Sequence, residues 1–400
     1  MNIKSKRYFI MSYVGRTVTD SQVFNWVEVL KQHGVNTDLI SLSNKQRMQK
    51  KDAVIQIEKK TGGSFYQYKL YPPIINDLVL LFIFLKLYLS DFIKYDRIIY
   101  QTRLEGVGMP FFIIGLLPKV KTIFESRGAT IEERKYEHGK PLSIKAVIKE
   151  HLNYFSEKLL TKKSDGIICV SNALSKYYVT KFHIGKERNR FLVIPGAASV
   201  NLFYFDNNLR DNTRRELNYS ATDLVIVYSG ALIQKWEIPD DVFSFVKKLK
   251  KKQENIVFLV ITPDVELAKE YATKYEMKEF TTILNSPFHE VNKFLNASDI
   301  AILIREDTIM NNVASPTKFA EYLMCGLPTI ISKGVHDFAD TIHTTNYGIV
   351  LEDYRHIKDQ EFNMIYNMKD LNRESIALWA KENLSKEKFV SQYIKFFDEI

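Results

Sequence analysis

Short β-branched apolar runs alternate with helical patterns along all 400 residues, in two successive series. The first series predicts strands over residues 8–12, 38–41, 97–101, 121–124, 166–170 and 191–194. The second predicts them over 224–228, 256–261, 281–284, 300–304, 329–331 and 348–351. Each run is too short and too uniformly apolar for a half-exposed strand, so each reads as a parallel strand buried on both faces. Helical spacing falls between them, for example over 21–32, 144–161, 241–252, 290–297 and 316–324. Two such series predict an α/β protein built from two doubly wound, Rossmann-like domains. The Asn- and Asp-rich stretch 199–213 marks the join, giving an N-terminal domain over 1–205 and a C-terminal domain over 206–382. A last helical segment over 383–400 is expected to pack back on the first domain. Ligands of doubly wound sheets bind beyond the carboxyl ends of the strands, so the cleft between the domains is the expected site.

Composition narrows the class. With 46% hydrophobic and 26% charged residues the chain can bury large cores, which excludes disorder as its main state. Two cysteines, Cys169 and Cys325, are too few for a disulfide framework and suggest a reducing compartment. The most apolar segment, 78–89, includes Lys86 and is flanked by Asp77 and Asp91, and a membrane span needs about 20 apolar residues. The N-terminus reads as a first strand and not as a signal peptide. A cytoplasmic protein, soluble or peripheral at the inner face of the membrane, is therefore expected.

Charge is distributed unevenly. Residues 1–200 carry 32 Lys and Arg against 17 Asp and Glu, and residues 201–400 carry 24 against 30. The basic half suits an anionic membrane surface or a phosphate-bearing substrate. No nucleic-acid module accompanies it, so nucleic acid is not expected as a partner. In the stretch 141–163, Ile144, Val147, Ile148, Leu152, Phe155 and Leu159 recur at helical spacing among Lys140, Lys145, Lys149, Lys158, Lys162 and Lys163. That pattern predicts an interfacial helix.

Several chemistries lack their motifs. There is no G-x-x-x-x-G-K-[ST] loop, no G-x-S-x-G elbow and no H-E-x-x-H pair, and Phe111 interrupts the G-x-G-x-x-G begun at Gly106. No D-x-D pattern is present to hold a divalent metal. No cofactor or metal is expected, and a bound diphosphate would be met by helix N-termini and basic side chains.

Residues 296–332, NASDIAILIREDTIMNNVASPTKFAEYLMCGLPTIIS, are the most informative. A strand is followed by a helix with Ser315 as its expected N-cap, Pro316 at its first position and Thr317 and Lys318 in its first turn. Gly326 then ends it. Free amides at such a helix start attract an anion, Lys318 adds a full charge, and Glu321 can accept hydrogen bonds from a vicinal diol. The simpler alternative is a capped helix with Lys318 and Glu321 as a solvated pair.

This segment resembles the donor signature S-P-x-K-x-x-E-Y-x-x-x-G-x-P of family 4 glycosyltransferases of the GT-B fold, in particular the bacterial enzymes of capsule and O-antigen polysaccharides. FESRGATIEE (124–133), SDGIICVSNAL (164–174), VIPGAASVNLF (193–203) and YSGALIQKW (228–236) resemble further family motifs in the family's order. The resemblance implies a retaining, metal-independent hexosyltransferase using a nucleotide-sugar donor and a glycan or polyprenyl-diphosphate-linked acceptor. It implies that Glu321 binds the ribose and that the helix start formed by Ser315, Pro316 and Thr317 faces the diphosphate with its free amides. It also implies that the loop 13–17 closes the donor site, with Gly15 for close approach and Arg16 for phosphate.

Two departures stand out. The family's second Glu falls on Val313, and its phosphate-binding Arg and Lys, which follow the glycine at Gly230, fall on Ala231 and Trp236. Lys318, Arg305 and Lys235 are the candidate replacements. Arg127, after a strand and before Gly128, is the candidate cation of the first domain, with pairing to Glu132 or Glu133 as its structural alternative. Glu105, Glu125 or Glu133 could serve as base in an inverting enzyme, and a sugar-nucleotide epimerase or a binding subunit without strong catalysis also remains open.

Overall fold

The computed structural model describes residues 6–12, 23–43, 48–139, 143–184 and 190–400. They form two compact units, one made of residues 1–194 with Phe389–Ile400 and the other of Pro195–Lys388.

Among the described residues the first unit holds seven parallel strands: β1 (Lys6–Ser12), β2 (Thr37–Ser43), β3 (Phe65–Lys69), β4 (Arg97–Thr102), β5 (Val120–Ser126), β6 (Gly166–Cys169) and β7 (Phe191–Val193). Their order is β3-β2-β1-β4-β5-β6-β7. Tyr8, Phe9, Ile10 and Met11 are all buried, as expected of a central strand covered on both faces. Strand β3 was missed in the sequence reading. It lies at the sheet edge, and its FYQYK mixes aromatic with polar residues instead of forming an apolar run.

Residues 389–400 complete this unit. Phe397 packs on Tyr8 with centroids 4.9 Å apart, Tyr393 packs on Trp26 at 5.3 Å, and Arg97 donates to the carbonyl of Asp398 at 3.1 Å.

Three helices, Pro73–Asp91, Gly108–Ile114 and Ile144–Lys163, pack side by side on this unit. Their outer side chains are apolar and exposed: Ile74 (74%), Leu78 (65%), Phe82 (70%), Ile113 (37%), Ile144 (80%) and Phe155 (52%). So large an apolar surface is unusual for a protein that meets only water. Among the described residues no helix is long and apolar enough to cross a membrane.

The second unit holds six parallel strands: β8 (Leu224–Ser229), β9 (Ile256–Ile261), β10 (Thr281–Leu284), β11 (Ile300–Leu303), β12 (Thr329–Ser332) and β13 (Gly348–Leu351). Their order is β10-β9-β8-β11-β12-β13. Alternation with period two splits each central strand between two cores. Val225 and Val227 of β8 join Ala301 and Leu303 of β11 on one face. Leu224, Ile226 and Tyr228 join Ile300 and Ile302 on the other. Burial on both faces is why these strands read as unbroken apolar runs.

Candidate functional site

In the second sheet β8 and β11 are neighbours, although β9 and β10 separate them in sequence. Strand order reverses there, and the carboxyl ends of two such strands leave room for a ligand. Gly230 follows the end of β8, and Arg305 lies just past the end of β11. The helix Thr317–Met324 follows after a short helix, Ile309–Val313, and its buried Phe319, Tyr322 and Leu323 fix it to the core. Tyr322 reaches the end of β8, where its hydroxyl accepts from the amide of Ser229 at 3.0 Å.

The helix start departs from the sequence reading. Ser315 is not the N-cap. The helix begins at Thr317 with Pro316 in the capping position and no side-chain cap. The Ser315 hydroxyl instead accepts from the amide of Gly196 at 2.8 Å and hydrogen-bonds Asp337. Gly196 lies so close that a Cβ there would sit 2.5 Å from the Ser315 carbonyl oxygen and 2.9 Å from the Thr317 nitrogen. The turn Ser315–Thr317 is thus held from behind. Burial raises Asp337 to about 6, with the Ser315 hydrogen bond opposing. Gly326 does end the helix, with φ +70° and with backbone of Arg373 where a side chain would go.

Three charged side chains meet at the switch point. Glu237 Oε2 lies 2.7 Å from Lys318 Nζ, and its Oε1 lies 2.8 Å from Arg305 Nη2. The side chains of Glu237, Arg305 and Lys318 are 6%, 9% and 16% exposed. The Tyr228 hydroxyl, 3.0 Å from Glu237 Oε2 and 2.9 Å from the Ala231 carbonyl, shares its one proton between them. The Lys318 ammonium also rests over the Tyr228 ring, 4.7 Å from its centroid. Burial pushes the Glu237 carboxyl up, but Lys318 and Arg305 outweigh it and hold it at about 2. Burial pulls the Lys318 ammonium down, against the opposing effect of Glu237. Glu237 therefore stays ionised between two cations.

Gly230 is part of the same arrangement. Its φ is +140°, and a Cβ there would sit 2.3 Å from Lys318 Nζ. The lysine occupies space that only glycine leaves free.

Glu321 does not form the solvated pair with Lys318. It is 8% exposed, and burial raises its carboxyl to about 7, with Lys386, Lys318 and the Thr317 hydroxyl opposing. A buried acid this close to neutrality, on the helix that carries Lys318, is a functional-site signature.

The remaining candidates lie elsewhere. Lys235 is exposed, on the turn Lys235–Glu237 whose last residue points inward. Arg127 belongs to the first unit, where its Nη1 lies 3.7 Å from Glu125 Oε1 and not on Glu132 or Glu133. Arg103 Nε, 3.3 Å away, and the Gln101 amide, 2.7 Å away, share that buried carboxylate. Burial and Arg103 lower Arg127 to about 10. Gly15 and Arg16 lie outside the described residues. Val313 is buried and Trp236 half-buried.

Glu237 was missed from sequence. It lies 81 residues from Lys318, and no spacing rule links a turn acid to a helix that distant.

Residues 210–375 match the family model described as glycosyl transferases group 1. The chain carries a group 1 glycosyltransferase domain. Gly230, Glu237, Arg305, Ser315, Lys318 and Glu321 all fall inside the matched span, whereas Arg127 falls outside it. Similar solved structures extend over the whole chain. HepE of Anabaena, in complex with UDP and glucose, matches with TM-score 0.70 at 10% identity, over 99% of this chain and 100% of that one. A glycosyltransferase of Rickettsia africae matches with TM-score 0.70 at 13% identity, over 98% of each chain. The lipopolysaccharide outer core galactosyltransferase WaaB matches with TM-score 0.68 at 11% identity, over 99% of this chain and 100% of that one. At such identities the likeness speaks for the fold, which is GT-B, with two Rossmann-like parallel-sheet domains. No curated protein sequence matches the chain.

Proposed function

We propose that this group 1 glycosyltransferase is a retaining hexosyltransferase that takes its sugar from a nucleotide diphosphate donor without a metal ion. The observation that carries the reading is the pair of cations, buried Arg305 and half-buried Lys318, beside a helix start whose next turn holds the buried Glu321. In this reading the backbone N–H groups of Ser315 and Thr317 on either side of Pro316, together with the two cations, meet the diphosphate, and Glu321 accepts from the ribose diol. On the family resemblance we also assign Gly15, Arg16 and the exposed Lys235 to donor binding and Arg127 to catalysis. HepE, solved with UDP-glucose, makes a UDP-sugar the first donor to try.

Retention follows from attack on the face the diphosphate leaves. The acceptor hydroxyl oxygen bonds to the anomeric carbon, the bond from that carbon to the diphosphate oxygen breaks, and a diphosphate oxygen takes the hydroxyl proton. No protein nucleophile is needed. The protein's part is to position the donor and stabilise charge developing on the leaving group.

For the acceptor we propose a glycan or polyprenyl-diphosphate-linked glycan at the inner face of the cytoplasmic membrane, in capsule or related polysaccharide synthesis. The exposed apolar side chains of the helices Pro73–Asp91, Gly108–Ile114 and Ile144–Lys163 support a peripheral membrane position. Exposed Lys86, Lys149 and Lys163 on the same helices favour anionic lipid.

A thermal-shift panel of UDP-, GDP- and CMP-sugars tests the donor, since a ligand bound to the native state raises its stability. Stabilisation by one nucleotide class, and transfer whose product keeps the donor's anomeric configuration by NMR, is the expected result. Stabilisation by none would overturn the reading, and an inverted product would move the base to Glu105, Glu125 or Glu133.

A further inference from the structure

We propose that Glu237 is the positioning residue of the anion site, holding Lys318 and Arg305 on the two oxygens of one carboxylate so that both meet the donor diphosphate. The inference rests on the nucleotide-sugar reading of this site.

With Ala231 and Trp236 in place of the usual Arg and Lys, the candidate phosphate cations come from two separate elements. Lys318 stands on the helix Thr317–Met324, and Arg305 stands past the end of β11. Two cations buried side by side repel and are costly to desolvate, unless an acid lies between them. Glu237 supplies that acid, one oxygen for each cation, at 2.7 and 2.8 Å. The trio keeps a net single positive charge. Among the described residues the buried Nε of Arg305 has no hydrogen-bond partner, so this guanidinium keeps a donor to offer.

The backbone is bent to place this acid. Ile238, directly after Glu237, sits at φ +38° and ψ +58°. A β-branched residue is a clear outlier in that left-handed region, and such strain collects at functional sites. The turn carries Lys235 outward and Glu237 inward. Gly230 clears the space in which the Lys318 ammonium lies.

Glu237 has two conceivable effects of opposite sign. As a competitor it would neutralise the cations, and its removal would tighten diphosphate binding. As a positioning group it keeps Lys318 charged and aimed, and its removal weakens binding. The charged and titratable groups around Lys318 are Glu237 from the turn, Tyr228 from β8, Arg305 from beyond β11, and Glu321 and Tyr322 from its own helix. Of the acids, only Glu237 bonds the ammonium directly, at 2.7 Å. Its loss leaves burial unopposed at that contact.

The test is UDP, GDP and CDP binding by calorimetry to wild type, Glu237→Gln, Lys318→Gln and the double variant. Glu237→Gln is expected to bind the preferred nucleotide about tenfold or more weakly, as for a lost charge-assisted contact. Adding Glu237→Gln to Lys318→Gln should cost less affinity than Glu237→Gln costs the wild type, because part of the Glu237 effect acts through the lysine and only the part through Arg305 remains. Binding by Glu237→Gln should also fall with rising pH over an alkaline range in which wild type does not change. Equal or tighter binding by Glu237→Gln, or a pH profile like that of wild type, overturns the proposal while the donor reading stands on Lys318→Gln. If wild type binds none of the three nucleotides, the donor reading falls and the proposal with it. Should Glu237→Gln fail to fold, Glu237→Asp keeps the charge but is one methylene too short to hold both cations. It is then expected to bind more weakly than wild type, and unchanged or tighter binding overturns the proposal.

Discussion

Lys318 bonds Glu237 and not Glu321, although Glu321 stands one turn further along its own helix. The choice leaves two acids in opposite states. Glu237, between two cations, is held at about 2, and Glu321, buried among weaker influences, rises to about 7. One helix turn therefore presents a lysine held on a carboxylate and an acid that titrates near neutrality.

Stability and nucleotide affinity should respond to Glu321 with opposite signs. Its folded value, about 7, lies above its ordinary 4.5, so its stabilising effect is full below 4.5 and is lost as pH rises through about 7. A shift of that size is worth at most on the order of 3 kcal/mol. Glu321→Gln should therefore raise the Tm of the ligand-free protein at pH 8 and leave it nearly unchanged at pH 4.5. The ionised acid is the better ribose acceptor, so wild-type nucleotide affinity should rise from pH 6 to pH 8. Glu321→Gln should flatten that rise and bind roughly 10–150-fold more weakly at pH 8. Calorimetry at both pH values checks this, and a flat wild-type profile would return Glu321 to a structural role.

Gly230→Ala should damage the site more than the fold. The new methyl group falls 2.3 Å from the Lys318 ammonium, and φ +140° is strained for alanine. Lys318 must move off Glu237, so we expect nucleotide affinity to fall about tenfold, with a loss of roughly 1–3 kcal/mol in stability. Denaturant unfolding and calorimetry separate the two effects.

Chelation should not affect donor binding. Affinity for the nucleotide sugar is expected to be equal with and without EDTA, because Lys318, Arg305 and the helix amides supply the positive charge. Loss of binding on chelation, restored by Mg²⁺ or Mn²⁺, would mean that a metal carries the diphosphate.

Membrane binding should have an electrostatic and an apolar part. The protein is expected to sediment far more with vesicles of anionic lipid than with neutral ones, and salt should weaken the association. Replacing Lys145, Lys149, Lys162 and Lys163 by Gln should weaken it as well. Leu78→Ser with Phe82→Ser should reduce what remains at high salt, since both side chains are well exposed at 65% and 70%. Nucleotide binding should survive both sets. Equal binding to neutral and anionic vesicles, or none to either, would remove the membrane from the reading.

The two parallel-sheet domains were legible from sequence, because a strand buried on both faces must be apolar throughout, and the shortness, β-branching and flanking turn residues of these runs set them apart from buried helix. Residues 224–228 and 300–304 are such runs, and they became the central strands Leu224–Ser229 and Ile300–Leu303. Strand β3 was not legible, because an edge strand is half-exposed and tolerates FYQYK. The helix with Lys318 and Glu321 was readable from local punctuation, its Pro316 and Gly326. Its cap was not, because the Ser315 hydroxyl bonds Gly196, 119 residues away. Which acid holds Lys318 was likewise decided only in three dimensions. Helix spacing offers Glu321, whereas folding β8 beside β11 brings Glu237 to the lysine and to Arg305 together. Local rules act over a turn or two of chain. The charge pairing of a buried site depends on which strand ends become neighbours, and that is settled by the order of the sheet.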